Sequence, residues 1–310
     1  MAGKIVVAGG TGALGTALLD YFSKKEYEVV VLTRQHRVDN ENVRFVHWDA
    51  KTLGAWVTEL EGSVAVINLV GKSVNCRYTK KNKAKIIYSR VDATTVIGEA
   101  ICQVVRPPGV WINAGSIAIF GNTGSAVKTE ASFVGYGFSP DVCKAWEAAF
   151  YQTETLGTRK VFLRLAVVLQ SIGGILKPFV RLAQLGFGGK IGSGKQYVSW
   201  IHEFDFVRMV DWLIQNPEVE GTIHACSPNP VTNRMFMRAI RFVFGIPIGL
   251  PNFGWAVRMG AWLIGTEAEL VLSGRAVVSQ VLKNKDFRFN FTHIAEALSD
   301  IKLTQQKHRK

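Results

Sequence analysis

Residues 4–15 read Lys4-Ile5-Val6-Val7-Ala8-Gly9-Gly10-Thr11-Gly12-Ala13-Leu14-Gly15, and this stretch decides the fold. Lys4–Ala8 has the unbroken apolar text of a strand buried on both faces. Glycines at 9, 12 and 15 follow, and a helical pattern runs from Ala13 to Lys25. A glycine turn of this spacing acquires meaning only between a strand and a helix. There one glycine makes the tight turn, a second lets backbone approach a pyrophosphate, and the third lets helix pack on strand. The phosphates then face a helix N-terminus, where free N–H groups and the dipole favour negative charge. The stretch Gly9 to Gly15 is therefore expected to bind a dinucleotide. The alternative is a glycine-rich turn without a ligand.

Outward from this turn the chain alternates strand and helix patterns. Glu28–Thr33, Arg44–Trp48, Val64–Val70, Val110–Gly115 and Val161–Leu169 read as further strands. Helical text covers Lys80–Val105, and Lys144–Glu154 lies in the next helix. Apolar strands separated by helices require a parallel sheet covered on both faces, which predicts an α/β, doubly wound Rossmann domain. After about residue 170 the pattern turns irregular and glycine-rich, and helices reappear from Arg234 onward. This part is expected to build a smaller substrate-side lobe on the carboxyl edge of the sheet. The predicted division is a cofactor domain at 1–230, a small C-terminal domain at 231–303 and a polar tail at 304–310.

The end of the second strand selects the cofactor. An NAD protein usually offers a carboxylate to the ribose there, whereas a 2′-phosphate calls for arginine. Here the text is Leu32-Thr33-Arg34-Gln35-His36-Arg37, with no carboxylate before Asp39. Arg34 can hold a phosphate through two parallel hydrogen bonds, which predicts NADP(H). The alternative is that Arg34 is an exposed loop residue.

Composition bounds the remaining classes. The 310 residues are 48% hydrophobic and 20% charged, ordinary for a globular chain. A net charge of +13 suits polyanions, but no nucleic-acid motif accompanies it. The clusters Lys80/Lys81/Lys83/Lys85 and Lys307–Lys310 read as a solvated face and a frayed end. Nucleic acid is accordingly not expected as a partner. The longest apolar stretch, Phe242–Gly265, contains Pro247 and Pro251. It predicts a loop leading into a buried amphipathic helix rather than a membrane span. Cys76, Cys102, Cys143 and Cys226 lack metal or redox spacing, so free thiols and no metal site are expected. No signal peptide is visible, and a soluble, cytoplasmic protein is expected. The small-molecule substrate and the oligomeric state are not legible.

Beyond these readings, the motifs resemble a family. The glycine turn, Leu32-Thr33-Arg34 and Trp48-Asp49 are similar to the atypical extended short-chain dehydrogenases/reductases. Asn68-Leu69-Val70-Gly71, Tyr88-Ser89-Arg90-Val91, Lys144-Ala145-Trp146-Glu147 and Arg164–Leu169 narrow the likeness. So do Gly188–Gly194, Ser199-Trp200-Ile201-His202-Glu203-Phe204-Asp205 and Ser227–Asn233. Together they resemble the epimerase-like branch, related to nucleoside-diphosphate-sugar epimerases, with a C-terminal domain of unknown function. The resemblance extends to about Ile301.

It implies an NADP(H)-binding oxidoreductase or epimerase-like enzyme acting on an unknown carbonyl or sugar-nucleotide substrate. By the same likeness Gly9, Gly10, Thr11, Gly12, Ala13, Leu14 and Gly15 cradle the cofactor, and Thr33 and Arg34 meet the adenosine phosphate. Asp49 meets adenine, and Leu69, Val70 and Gly71 pass the ribose and pyrophosphate. Lys85 and Arg90, on the helix after the fourth strand, are likewise expected to touch the cofactor, and Val168 lies near the nicotinamide.

The family's usual chemistry pairs Ser/Thr with Tyr-x-x-x-Lys, the lysine lowering the tyrosine pKa so that it can exchange a proton as hydride moves. Ser116 lies where the serine is expected, with Gly115 as the alternative alignment. Tyr21–Lys25 is the only Tyr-x-x-x-Lys, and it sits in the first helix. Around the expected position, Tyr136 and Lys144 are each four residues from Pro140, so the usual dyad is absent. A proton donor must then come from His202, Asp205 or Tyr136. Alternatively His202 fixes a loop through backbone hydrogen bonds, and the chain is a non-catalytic NADP(H)-binding regulator. The glycine-rich segment Leu185–Ser199 reads either as a loop closing over a phosphate-bearing or sugar substrate or as a plain connection.

Overall fold

The computed structural model describes residues 3–307. Its sheet has seven parallel strands: β1 (Gly3–Ala8), β2 (Tyr27–Thr33), β3 (Val43–His47), β4 (Ala65–Asn68), β5 (Val110–Ser116), β6 (Arg159–Leu165) and β7 (Gly221–Ala225). Across the sheet they run β7-β6-β5-β4-β1-β2-β3. The chain thus winds one way from β1 to β3 and the other way from β4 to β7. The order reverses between β1 and β4, where doubly wound sheets open a crevice for a ligand.

Side chains alternate across the strands, which gives each face its own core. Ile5, Val7, Val29 and Val31 pack with Leu18 and Phe22 of α1 (Ala13–Phe22), and with Phe206 and Val210 beyond them. Val6, Ala8, Val30 and Leu32 pack on the opposite face. Their partners include Val96 and Ile97 of α2 (Lys80–Ile101) and Trp146 and Phe150 of α3 (Phe138–Gln152). Both faces are therefore covered, which explains why the strands carry no polar alternation.

The region after residue 170 contains more order than its sequence suggests. It folds into α4 (Leu176–Leu182), α5 (Glu203–Gln215), α6 (Asn233–Phe244), α7 (Gly254–Leu263), α8 (Glu269–Leu272), α9 (Gln280–Asn284) and α10 (Ile294–Lys307). Helices thus begin well before Arg234. The expected sixth strand, Val161–Leu169, breaks at Ala166. Residues up to Leu165 stay in the main sheet, and Val167–Leu169 pairs with Trp200–His202 in a separate two-stranded sheet. The Ala166 amide donates to the Ala225 carbonyl at the break.

A third core joins Leu169, Trp200, Phe236, Met237, Ile240, Leu298 and Ile301. Residues 304–307, expected in a polar tail, continue α10; His308 to Lys310 lie outside the described residues. The helix expected to be buried within Phe242–Gly265 is instead an exposed one. α7 buries Ala261 alone, and Trp255, Trp262 and Leu263 are each more than 60% exposed. An apolar pattern states what a helix can cover, not that another element lies over it.

Candidate cofactor and substrate site

The glycine turn leaves β1 at the reversal of strand order. Gly9 adopts φ +80°, in the left-handed region that favours glycine. A Cβ there would lie 3.1 Å from the Leu69 carbonyl carbon and 3.2 Å from the Val70 nitrogen, so the turn is pressed against the chain leaving β4. A Cβ on Gly15 would stand 2.4–2.5 Å from three backbone atoms of Gly10, which holds α1 close against the turn. Gly12 differs: φ is −79° and a Cβ would meet only the Gly9 carbonyl, at 3.4 Å. Gly12 is exposed and caps α1 without a side-chain hydrogen bond. The first helical bond of α1 runs from the Thr16 amide to the Gly12 carbonyl, so the amides of Ala13, Leu14 and Gly15 precede it. No acidic residue stands in that first turn. This end of the helix is set up for an anion.

Beside the turn, a buried polar network shapes the strap after β4. Asn68 donates to Asn113 Oδ1 at 2.7 Å and to Thr94 Oγ1 at 3.2 Å, and Trp146 Nε1 donates to the same Thr94 oxygen at 3.0 Å. Asn68 Oδ1 accepts from the Val70 amide at 3.1 Å. Farther along, the Lys72 amide donates to Ser89 Oγ and Arg90 Nη1 donates to the Lys72 carbonyl. Buried polar groups satisfied in this way fix a single geometry, here the path of Leu69, Val70 and Gly71 past the glycine turn.

At the far end of the crevice, Thr33 is buried and its Oγ1 accepts from the Gln35 amide. Arg34 follows, exposed and with no carboxylate partner among the described residues. Asp49 lies beyond β3. Its carboxylate accepts from the Lys51 and Thr52 amides and from Thr52 Oγ1, each at 2.8 Å, and these bonds hold its pKa down to about 2. Lys85 stands exposed on α2. Val168 points into the core, and its neighbour Val167 faces a cavity instead.

Two cavities of about 170 and 160 Å³ open at the carboxyl edge of the sheet, and Ser116, Leu270 and Arg275 line both. Ser116 ends β5, and its Oγ accepts from the Ala118 amide at 3.1 Å, which leaves the hydroxyl proton free to donate. The first cavity also takes in Tyr78, Arg90, Ser139, Cys143 and Glu269. Ser139 and Cys143 occupy an i, i+4 pair on α3. The Tyr78 phenol, from the loop before α2, faces the Ser139 hydroxyl, and burial raises its pKa. Burial also pushes the Cys143 thiol up to about 11, so it is neutral at pH 7.

The other sequence-chosen proton donors lie elsewhere. Tyr136 is 92% exposed, with Lys144 Nζ 5.5 Å from its ring centre. His202 is buried and caps α5 by accepting from the Phe204 amide at 3.1 Å, and its ring centre lies 4.0 Å from that of Phe291, tilted by 33°. Burial lowers its pKa to about 4. Asp205 accepts from the amides of Asn290 and Phe291 and pins that segment to α5. The glycine-rich loop is likewise engaged: the Gly189 and Gly192 amides donate to the Leu250 and Asn252 carbonyls. Sequence reasoning missed Tyr78, Arg275 and Glu269, which come from loops and a short helix without periodic signal, and Ser139 in the first turn of α3.

Comparison with known proteins agrees with this architecture. A model of the NAD dependent epimerase/dehydratase family matches residues 5–225. The chain belongs to that family. A second model, a domain of unknown function, matches residues 253–301. An epimerase family protein of Mycobacterium bovis is 30% identical over 95% of this chain and 96% of its own length. One from Staphylococcus aureus is 28% identical over 96% of this chain and 98% of its own. Among solved structures, the human epimerase family protein SDR39U1 (isoform 2) with NADPH has a TM-score of 0.85 at 25% identity. The match covers 96% of this chain and 98% of that one. A nucleoside-diphosphate sugar epimerase from Corynebacterium glutamicum has a TM-score of 0.78 at 24% identity, over all of this chain and 62% of that one. As an epimerase-family chain, this protein is of a nucleotide-binding, oxidoreductase or epimerase-like kind. Among its described residues, no helix is long and apolar enough to cross a membrane.

Proposed function

We propose that this chain is an NADP(H)-dependent oxidoreductase or epimerase-like enzyme. The cofactor would lie along the crevice from Arg34, past Gly9–Gly15 and Leu69–Gly71, to Ser116, and a small-molecule substrate would enter the cavities there. The observation that carries the reading is the meeting of two cavities at Ser116, at the carboxyl end of β5, two strands across the sheet from the β1 end that carries the glycine turn. The NADPH in the human relative's structure supports the cofactor choice. When bound, the cofactor supplies or accepts a hydride. Ser116 would then donate a hydrogen bond to the reacting oxygen, and Tyr78, kept protonated by burial, would be the proton donor. No lysine in the lining lowers the Tyr78 pKa, so it suits an acid better than a base at neutral pH. The residues 1–230 would form the cofactor domain and 231–303 the small C-terminal domain. Free Cys76, Cys102, Cys143 and Cys226 fit a reducing compartment such as the cytoplasm.

A second reading, a non-catalytic NADP(H)-binding regulator, is favoured by the missing Tyr-x-x-x-Lys and by the structural engagement of His202. A turnover screen of carbonyl compounds and sugar nucleotides with NADPH separates the two. The enzyme reading predicts at least one substrate whose turnover falls ~100-fold or more in Ser116→Ala or Tyr78→Phe, in line with general acid catalysis. Turnover unaffected by both variants would contradict these roles, and no turnover at all would favour the regulator.

A further inference from the structure

The first cavity contains two arginines and no carboxylate within 4 Å of either guanidinium among the described residues. Arg90, on α2, uses Nη1 to donate to the Lys72 and Ile86 carbonyls at 3.0 and 2.8 Å. Arg275 uses Nε to donate to the Gly121 carbonyl at 2.7 Å. A guanidinium has five N–H donors in a planar fork. Among the described residues, the remaining donors, Nε and Nη2 of Arg90 and both terminal nitrogens of Arg275, have no protein acceptor at hydrogen-bond distance. Both side chains are half-buried, desolvation lowers the pKa of each, and the Arg90 guanidinium also lies 5.0 Å from the Trp146 ring centre; neither has a carboxylate in contact to offset that desolvation. Such an arrangement is a mark of a binding site.

The protein also invests structure in placing Arg275. A Cβ on Gly274 would fall 2.5 Å from the Tyr197 nitrogen, so this segment docks tightly on the strand before Ser199. The Arg275 amide donates to the Tyr197 carbonyl, Ser199 Oγ donates to the Arg275 carbonyl at 2.9 Å, and the Val277 amide donates to Ser199 Oγ at 2.8 Å. Glu269 faces the same space and strengthens the charge of Arg275, while the Cys143 thiol and the Tyr78 phenol are neutral at pH 7. Two cations therefore stand against one carboxylate.

We propose that Arg90 and Arg275 form a pincer for the anionic group of a compact substrate, a carboxylate or a phosphate ester. Guanidinium forks bind both oxyanions through paired hydrogen bonds. The reading rests on the substrate cavity proposed above and names what enters it. Ser116 shares the cavity wall with both arginines, so the charged group sits close to the carbon that reacts. The two cavities of about 170 and 160 Å³ meet at Ser116, and placing the anionic group there suits a small acid, not a sugar nucleotide whose diphosphate lies far from the reacting sugar carbon.

The test is titration of the full chain, saturated with NADPH, with inorganic phosphate and with malonate at constant ionic strength. Calorimetry or thermal shift is the readout. The expected result is saturable binding of at least one anion, each competing with the other, weakened tenfold or more in Arg275→Gln and partly restored in Arg275→Lys, with NADPH affinity unchanged. Tighter phosphate assigns a phosphate ester, and tighter malonate assigns a carboxylate. Should Arg275→Gln fail to fold, Ser139→Asp sets a carboxylate beside the pincer and is expected to abolish anion binding. No saturable binding by the unaltered chain overturns the proposal. Equal binding by a folded Arg275→Gln does so too, as does UDP-glucose displacing phosphate with higher affinity. Anion binding without NADPH binding would instead overturn the cofactor reading, and NADPH binding without anion binding would spare it.

Discussion

Gly12 and Gly15 belong to one motif, yet the structure assigns them different reasons for lacking a side chain. An alanine Cβ at 15 would lie 2.4–2.5 Å from Gly10 backbone atoms, where ordinary contact begins at 3.4 Å. The helix must therefore move away from the turn by about 1 Å. Overpacking of this kind costs about 1–3 kcal/mol, and each kcal/mol lowers Tm by roughly 2–4 °C in a chain this large. At position 12 the φ of −79° suits alanine and the nearest atom is 3.4 Å away. The entropy gained by removing a glycine, about 0.4–1 kcal/mol, is similar to the loss of a glycine N-cap. Gly12→Ala should therefore leave Tm within about 2 °C. Its methyl would project where a pyrophosphate must approach the α1 amides, so NADPH affinity should fall at least about tenfold, or ~1.4 kcal/mol. Thermal melts and calorimetric NADPH titrations of the two variants give the readout. Gly12→Ala binding NADPH like the unaltered chain would refute the cradle, and Gly15→Ala melting unchanged would refute the packing argument.

Two further outcomes are expected. Arg34→Ala should weaken NADPH by about 10- to 100-fold, the worth of a charged hydrogen-bond pair, and leave NADH unchanged; equal losses would remove Arg34 as the discriminator. Burial holds His202 near pKa 4, whereas an unfolded histidine titrates near 6.5. Between those values the unfolded chain takes up the proton and the folded chain does not. This contribution is therefore complete above about pH 6.5 and is lost as pH falls toward 4, by at most roughly 3 kcal/mol. Asp300, 3.4 Å from Nε2, reduces that figure by stabilising the imidazolium. Denaturant titrations should show a shallower acid limb in His202→Asn, and an identical slope would exclude His202 as the source.

The sheet was legible because burial on both faces forces near-continuous apolar strands, and the glycine turn was legible because Gly9 and Gly15 lie too close to backbone, or at a φ too positive, for any other residue. The sixth strand was overextended because Val161–Leu169 stays apolar through Ala166, where the chain changes sheets. β7 was missed because five residues containing a buried His224 carry little pattern; that imidazole is satisfied by the Val278 carbonyl, and the His224 amide donates to Glu130. Several motifs that identified the family turn out to hold the scaffold. Glu147 makes a bidentate ion pair with Arg164, Trp200 Nε1 donates to the Asn229 carbonyl, and Asn233 Oδ1 accepts from the Ile191 amide. The cavity lining was hardest to foresee. Tyr78 and Arg275 lie far apart in sequence, on segments without period, and meet only because the lobe folds back over β5.

The most direct test of the cofactor assignment is titration of the purified full chain with NADPH and, separately, NADH, followed by cofactor fluorescence. The account predicts saturable NADPH binding at micromolar concentrations, with NADH at least about tenfold weaker. Equal affinities would contradict selection by Arg34, and binding of neither would contradict the glycine turn as a dinucleotide site.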